Sequence, residues 1–228
     1  LQDVSVNYNH NYFFREKNEL DITNFIVLEN FLKKNNINTL INCAAYTNVN
    51  ESETNKDLSK NVNHYAVENI AKLCFKFGIQ LIHISTDFVF DGLKKYPYNE
   101  TDKTNPINYY GKTKLDAERK ILNYDLDKSV IIRTSWLYSK LDNNFVNKIL
   151  NKLNNKKEIF VVDEEIGSPT NAIDLAETIM EIIIRLKNSK TEIYHFSNLG
   201  LCSRLQFADK INELIKGNCV VKPSKQNF

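Results

Sequence analysis

A chain of 228 residues, 42% hydrophobic and 11% aromatic, is long enough for one large α/β domain, or for one domain with a small appended lobe. Its net charge is +2, from 30 basic and 28 acidic residues mixed along the chain, so no single-sign field marks a nucleic-acid surface. No run of about twenty apolar residues occurs and the polar first twenty residues do not read as a signal peptide, so neither a membrane span nor export is expected.

In chain order, the helical period of Thr23–Asn35 precedes a short apolar run, Thr39–Ala45, of the kind expected for a strand buried on both faces. Leu58–Phe77 is again helical, with Val62, Ala66, Ile70, Leu73 and Cys74 as its stripe and Gly78 as its C-cap. Strand Gln80–Ser85, helix Lys114–Leu122 and strand Ser129–Thr134 follow. The alternation predicts repeated βαβ units and a parallel sheet. Beyond it come a helix over Asn143–Leu153, a strand at Ile159–Val162, a turn at Gly167–Thr170, a helix over Asp174–Lys187, a strand at Ile193–Ser197 and a helix over Phe207–Ile215. The expected fold is a Rossmann-like parallel sheet over residues 1–142, with 143–228 adding its last elements and a small C-terminal lobe.

The four cysteines, Cys43, Cys74, Cys202 and Cys219, have neither metal-ligand spacing nor a disulfide framework. No metal is expected, Cys43 and Cys74 read as core residues, and a reducing cytoplasm is the expected compartment.

Parallel α/β sheets bind ligands at the carboxyl ends of their strands. Three clusters stand there. Tyr110-Gly111-Lys112-Thr113-Lys114 places a phenol and an ammonium on one helix face, and a neighbouring cation brings a phenol closer to the range useful for proton transfer. Alone, a Tyr/Lys pair four apart is ordinary surface chemistry. Thr86 and Asp87 follow strand Gln80–Ser85, where a hydroxyl either donates to a substrate carbonyl or caps the next turn. Ala44-Ala45-Tyr46-Thr47 ends an earlier strand, where small residues admit a flat cofactor or serve tight helix–sheet packing.

The stretches NCAAYTNV, HISTDFVFDG, PINYYGKTKLDAE and RTSWLY together resemble the extended short-chain dehydrogenases and, within them, the dTDP-4-dehydrorhamnose reductase family. The resemblance runs from Leu20 to about Phe207. It implies NADPH or NADH as cofactor and reduction of the C4 ketone of dTDP-4-dehydro-6-deoxy-L-mannose to dTDP-L-rhamnose. Thr86, Tyr110 and Lys114 match the family's catalytic residues, with Tyr110 as proton donor. Asp21 and Ile22 match the pair beside the adenine, and Ala44, Ala45, Tyr46 and Thr47 the cofactor-lining turn, with Tyr110 and Lys114 also on the cofactor. Thr86, Asp87, Phe88 and Trp136 match substrate-side positions. Relatives are often dimers, and the apolar helices offer surfaces for a homodimer, although no residue pattern marks an interface.

The pattern departs from the family in two places. None of the six glycines forms the family's pyrophosphate loop, and the residues that complete the substrate lobe are not evident, so the chain is expected to be part of a longer protein. Glu16-Lys17, after Tyr12–Phe14, falls where a second strand is expected to end and the adenosine ribose to be read, and does not separate NADH from NADPH. Two other functions share the motifs: a ketoreductase for another nucleotide deoxysugar, and a regulatory subunit like the β subunit of methionine adenosyltransferase. Thr86 and the Thr-Ser-Trp at Trp136 favour the reductase.

Overall fold

The computed structural model describes residues 1–141 and 144–224. In chain order they form α1 (Gln2–Ser5), α2 (Phe25–Lys34), β1 (Thr39–Asn42), α3 (Val49–Thr54), α4 (Lys56–Lys60), α5 (Ala66–Phe77), β2 (Gln80–Thr86), α6 (Tyr109–Leu122) and β3 (Val130–Thr134). Then follow β4 (Leu137–Tyr138), α7 (Phe145–Asn155), β5 (Glu158–Val162), β6 (Ile166–Gly167), β7 (Thr170–Asn171) and α8 (Ala172–Arg185). The last elements are β8 (Glu192–Phe196), β9 (Cys202–Ser203), α9 (Arg204–Leu214) and β10 (Val220–Ser224). Two compact units result, Leu1–Thr134 with Thr178–His195, and Ser135–Glu177 with the residues from Phe196 onward.

The first unit holds a sheet of order β1-β2-β3-β8. β1 and β3 both run parallel to the central β2, with Asn42 opposite His83 and Thr86 opposite Thr134. That is the parallel, helix-flanked sheet the alternating pattern predicts. One face is covered by α2, α5 and α6, whose Leu28, Leu32, Ile70, Leu73, Ala117 and Ile121 pack with Leu81 and Ile131 of the strands. Ile82, Val130 and Ile132 are buried as well, so β2 and β3 have no solvent face.

Several boundaries move, each for a local reason. β1 stops at Asn42 rather than Ala45, because the Asn42 side chain accepts a hydrogen bond from Ala44 N at 3.1 Å and turns the chain out of the ladder. Cys43 is therefore exposed, not a core residue; Cys74 is buried. The helix expected over Leu58–Phe77 is broken by a π-helical turn at Asn61–Tyr65, which directs Asn63 inward. α5 then ends as expected at Gly78, whose φ of +64° suits glycine and whose N–H reaches Cys74 O. α6 begins five residues before its expected start, capped by the Asn108 side chain, which accepts from Gly111 N at 2.7 Å. Tyr12–Phe14 forms no strand: the rings of Tyr12 and Phe14 stack on each other and Phe13 packs edge-on against Phe31.

In the second unit β5 pairs in parallel with β10, a strand the sequence pattern does not announce because its side chains are at most half-buried. Ile149, Leu153, Ile159, Val161, Ala208 and Ile211 form that unit's core. The Gly167–Thr170 segment is more than a turn: β6 pairs antiparallel with β9, and β7 parallel with β4. α7 opens at Phe145 under an Asn144 cap; Asn143, where the helix was expected to begin, lies outside the described residues. α9 starts at Arg204, three residues early, behind a capping box of Ser203 and Gln206. Among the described residues no helix is long and apolar enough to cross a membrane, and no group of three or more His, Cys, Asp or Glu is arranged to hold a metal.

Candidate active site

The sheet delivers two of the expected clusters to the carboxyl ends of adjacent strands, and α6 brings the third beside them. Thr86 closes β2. Its hydroxyl accepts from Phe88 N at 3.2 Å and donates to Asp87 Oδ1 at 3.1 Å, so it caps the short 3₁₀ turn Asp87–Val89. It also hydrogen-bonds the Tyr110 phenol. The capping reading of Thr86 holds, and the same hydroxyl stands beside Tyr110. The Tyr110 ring meets Phe88 edge-on, with centroids 5.9 Å apart.

Gly111 allows this approach. A Cβ at that position would lie 2.1 Å from the Phe88 carbonyl oxygen, so only glycine lets α6 press against the turn after β2. Tyr110 is consequently only 9% exposed, and Lys114, one helical turn on, 2%.

The electrostatics differ from the expectation of a phenol lowered by its lysine. Burial pushes the Tyr110 hydroxyl up to about 12, with Thr86 pulling the other way and Asp87 adding to the rise. Burial also brings Lys114 down to about 8, against the opposing pull of Glu118 and Cys43. The Lys114 amine is turned to Ile84 O, 2.7 Å away, and to His83 Nε2, 3.3 Å away. At neutral pH the phenol keeps its proton.

The expected cofactor turn is shaped from both ends. Asn42 Oδ1 holds Ala44 N, while Asn63 holds Tyr46, its Oδ1 accepting from Tyr46 N at 2.8 Å and its Nδ2 donating to Tyr46 O at 3.0 Å. Asn63 Nδ2 also donates to Thr113 Oγ1 at 3.2 Å, which ties the turn to α6. Ala44 and Thr47 are exposed, Ala45 and Tyr46 half-buried, and the Tyr46 hydroxyl donates to Glu51 at 2.7 Å. Asp21 Oδ1 accepts from both the amide and the hydroxyl of Thr23, which lowers its carboxyl, and Ile22 packs against the core of the first unit.

Three polar groups of the interior escaped the sequence reading. Asn63 is wholly buried on the π-helical turn; a polar residue inside an apolar helical stripe was its signal. His83, also wholly buried, interrupts the apolar strand QLIHIST. Glu118, two turns past Tyr110, forms a buried pair with Arg133 of β3, Arg133 Nη2 to Oε2 at 2.7 Å and Nε to Oε1 at 3.0 Å, and accepts from Ser85 Oγ at 2.5 Å. A buried carboxylate needs such partners, and this pair fixes α6 against β2 and β3.

Trp136 belongs to the second unit. Its φ is +44°, in the left-handed region that a bulky side chain rarely adopts. The indole lies against Gly167, where a Cβ would come within 2.6 Å of the ring, and carries the Arg204 guanidinium over its face, 3.5 Å from the centroid. Arg204 Nε in turn donates to Glu165 Oε2 at 3.1 Å.

This geometry can be set beside known proteins. Residues 1–227 match the model of the RmlD substrate binding domain family. The chain belongs to that family. It is 37% identical over 193 residues to dTDP-4-dehydrorhamnose reductase of Aggregatibacter actinomycetemcomitans, covering 83% of this chain and 65% of the relative. It is 33% identical over 184 residues to dTDP-4-keto-6-deoxy-D-glucose reductase of Streptomyces niveus, covering 81% of this chain and 63% of the relative. Among solved structures, dTDP-4-dehydrorhamnose reductase of Bacillus anthracis in complex with NADP superposes with a TM-score of 0.90 at 36% identity, covering 97% of this chain and 78% of that one. The RmlD-family chain thus spans under two thirds of the length of these curated relatives.

Proposed function

We propose that the protein is an NAD(P)H-dependent reductase of a nucleotide-linked 4-ketosugar, reducing dTDP-4-dehydro-6-deoxy-L-mannose to dTDP-L-rhamnose. The observation that carries this reading is the convergence of Thr86, Tyr110 and Lys114 at the carboxyl end of β2, in a chain 37% identical to a dTDP-4-dehydrorhamnose reductase.

The nicotinamide half of the cofactor fits the residues present. Ala44 and Ala45 carry no bulk beyond Cβ, the turn they form is already fixed by Asn42 and Asn63, and the Lys114 amine reaches Ile84 O on the neighbouring strand β2. In this reading Ala44–Thr47 would line the cofactor, Lys114 would hold the nicotinamide ribose, and Asp21 and Ile22 would flank the adenine. The bound cofactor would supply hydride to the sugar carbon.

The chain's own part is proton management. Tyr110 and Thr86 would hydrogen-bond the ketone oxygen, and the Tyr110 Oη–H would pass its proton to that oxygen as negative charge develops on it. A phenol held up at about 12 is in the donor state throughout the neutral range, which is the state a reduction needs. The phenolate left behind is buried and calls for a cation, the role assigned to Lys114. Asp87, Phe88 and Trp136 are assigned to the sugar-nucleotide side.

Similarity to the Streptomyces niveus enzyme favours a second reading, a 4-ketoreductase acting on another dTDP-linked deoxysugar. One experiment separates the two and tests the first. The full-length protein is given NADPH and either ketosugar, and loss of reduced cofactor is followed by absorbance. The first reading expects turnover with the rhamnose precursor, abolished in Tyr110→Phe with cofactor affinity retained. No turnover with either sugar sinks both.

A further inference from the structure

Asn42 and His83 take no part in the chemistry above, yet both are buried and bonded to groups that do. We propose that His83 is a positioning residue for Lys114: Asn42 fixes its imidazole as the Nε2–H tautomer, and that N–H is donated to the Lys114 amine. The inference rests on the reading of Lys114 as the lysine of a reductase site.

The tautomer follows from counting donors. The backbone N–H of Ala44 only donates, so the Asn42 side-chain atom facing it at 3.1 Å is the oxygen. The other Asn42 atom is then the amide nitrogen, a donor, and it faces His83 Nδ1 at 3.1 Å. Nδ1 must accept and carries no hydrogen. His83 is fully enclosed, and burial, reinforced by the charge of Lys114, holds its imidazole well below the ordinary histidine range. A neutral ring with a bare Nδ1 carries its hydrogen on Nε2, and Nε2 stands 3.3 Å from Lys114 Nζ.

A hydrogen bond from that N–H needs a lone pair on Nζ. The neutral amine provides one while still donating to Ile84 O at 2.7 Å, whereas an ammonium would oppose donor to donor. The chain Ala44–Asn42–His83–Lys114 thus favours the uncharged amine and works with burial. Two groups work against it. Glu118, one turn along α6, draws the proton toward Lys114 but is already held by Arg133 and Ser85, and Cys43, just after β1, would do so only as a thiolate, a form that burial of its thiol disfavours. Tyr110, on the same helix, is a neutral phenol. His83 therefore helps set the pH at which Lys114 acquires the charge that a Tyr110 phenolate requires, and couples it to the turn that lines the cofactor.

Two measurements test this in the full-length protein. In the uniformly ¹⁵N-labelled wild type, the imidazole of His83, assigned among the four histidines by its loss in His83→Phe, should show a bare Nδ1 and a protonated Nε2 from about pH 6 to about pH 9. An Nδ1–H tautomer or an imidazolium overturns the proposal, and this holds even if no ketosugar is reduced, which would sink the functional reading alone. For the reductase, the loss of kcat on the alkaline side should move up by about one pH unit in His83→Phe and in His83→Gln, with KM for the sugar within about twofold of wild type. A merely structural role would lower kcat at every pH and leave that limb in place, and that result also overturns the proposal. If His83→Phe fails to fold, the glutamine variant and the wild-type tautomer still decide.

Discussion

Asn63 grips Tyr46 by both of its backbone groups, donating to the carbonyl at 3.0 Å and accepting from the N–H at 2.8 Å. A third bond, to Thr113, carries the same side chain across to α6. Alanine at 63 would leave two half-buried backbone groups and the buried Thr113 hydroxyl short of a partner, each worth about 1–3 kcal/mol when fully buried and unsatisfied. Asn63→Ala should lose about 3 kcal/mol of stability in denaturant titrations and weaken NADPH binding about tenfold, because the turn at Ala44–Thr47 would no longer be preorganised. Unchanged NADPH affinity in a destabilised variant would show that Asn63 serves the fold alone.

Gly111 makes a similar case at the proposed proton donor. A methyl group there would stand 2.1 Å from the Phe88 carbonyl oxygen, which is backbone and has nowhere to rotate. Either α6 or the Asp87–Val89 turn must then retreat, and Tyr110 parts from Thr86. Gly111→Ala should cost about 1–3 kcal/mol of stability. It should reduce kcat on the order of a hundredfold, since misplacing a reacting group by about 1 Å has effects of that size. Steady-state kinetics beside thermal melts check it; wild-type kcat would mean the clash is absorbed away from Tyr110.

Burying Lys114 also makes stability depend on pH. Its amine titrates near 8 in the fold against 10.5 for an ordinary lysine. Below about pH 8 the folded and unfolded chains both carry the proton, and the cost of burying the charge is fully present. Between about 8 and 10.5 the unfolded chain binds more protons, so stability rises with pH, by on the order of 3 kcal/mol in all. Lys114→Met removes the titration. The stability of the wild type relative to Lys114→Met should therefore climb across that window; a difference that stays flat from pH 7 to 11 would contradict the burial argument.

The chain announces its sheet and its proposed reactive residues for the same reason: both depend on local pattern. Continuous apolar runs mark β2 and β3, Gly78 marks the end of α5, and Tyr110 and Lys114 are one turn apart on a single helix. The groups that hold those residues in place are set by long-range partners. Asn63 meets Tyr46 17 residues earlier and Thr113 50 residues later, and His83 meets Lys114 31 residues away, so neither role has a spacing to read. The π-helical turn at Asn61–Tyr65 adds to this, because an apolar helical stripe does not reveal the extra residue that this turn takes up beside Asn63. Strand β10 is hidden by its half-exposed side chains, and the triplet Tyr12–Phe14 misleads because aromatic residues favour strands and ring stacks alike. The rise in Tyr110 toward 12 has no sequence signal either, since its cause is burial, which depends on α6 pressing against the Phe88 turn at Gly111.

Trp136, the only tryptophan of the chain, reports on its own surroundings. Its indole is clamped within one unit, against Gly167 on one side and under the Arg204 guanidinium at 3.5 Å, and Arg204 is steadied by Glu165. A cation over an indole face contributes about 0.5–2 kcal/mol, depending on how far it is desolvated. Removing it should leave the ring mobile and wetter without unfolding the chain. Arg204→Ala should therefore shift the tryptophan emission to the red and raise its quenching by acrylamide, whereas Arg204→Lys should recover only part of the change, because an ammonium does not stack as a guanidinium does. Gly167→Ala should displace the ring outright, its methyl group meeting indole carbon at 2.6 Å. If Trp136 faces the nucleotide sugar as proposed, both Ala variants should raise KM for the sugar while leaving NADPH affinity alone. An emission shift with unchanged KM would place the clamped indole outside the substrate's reach.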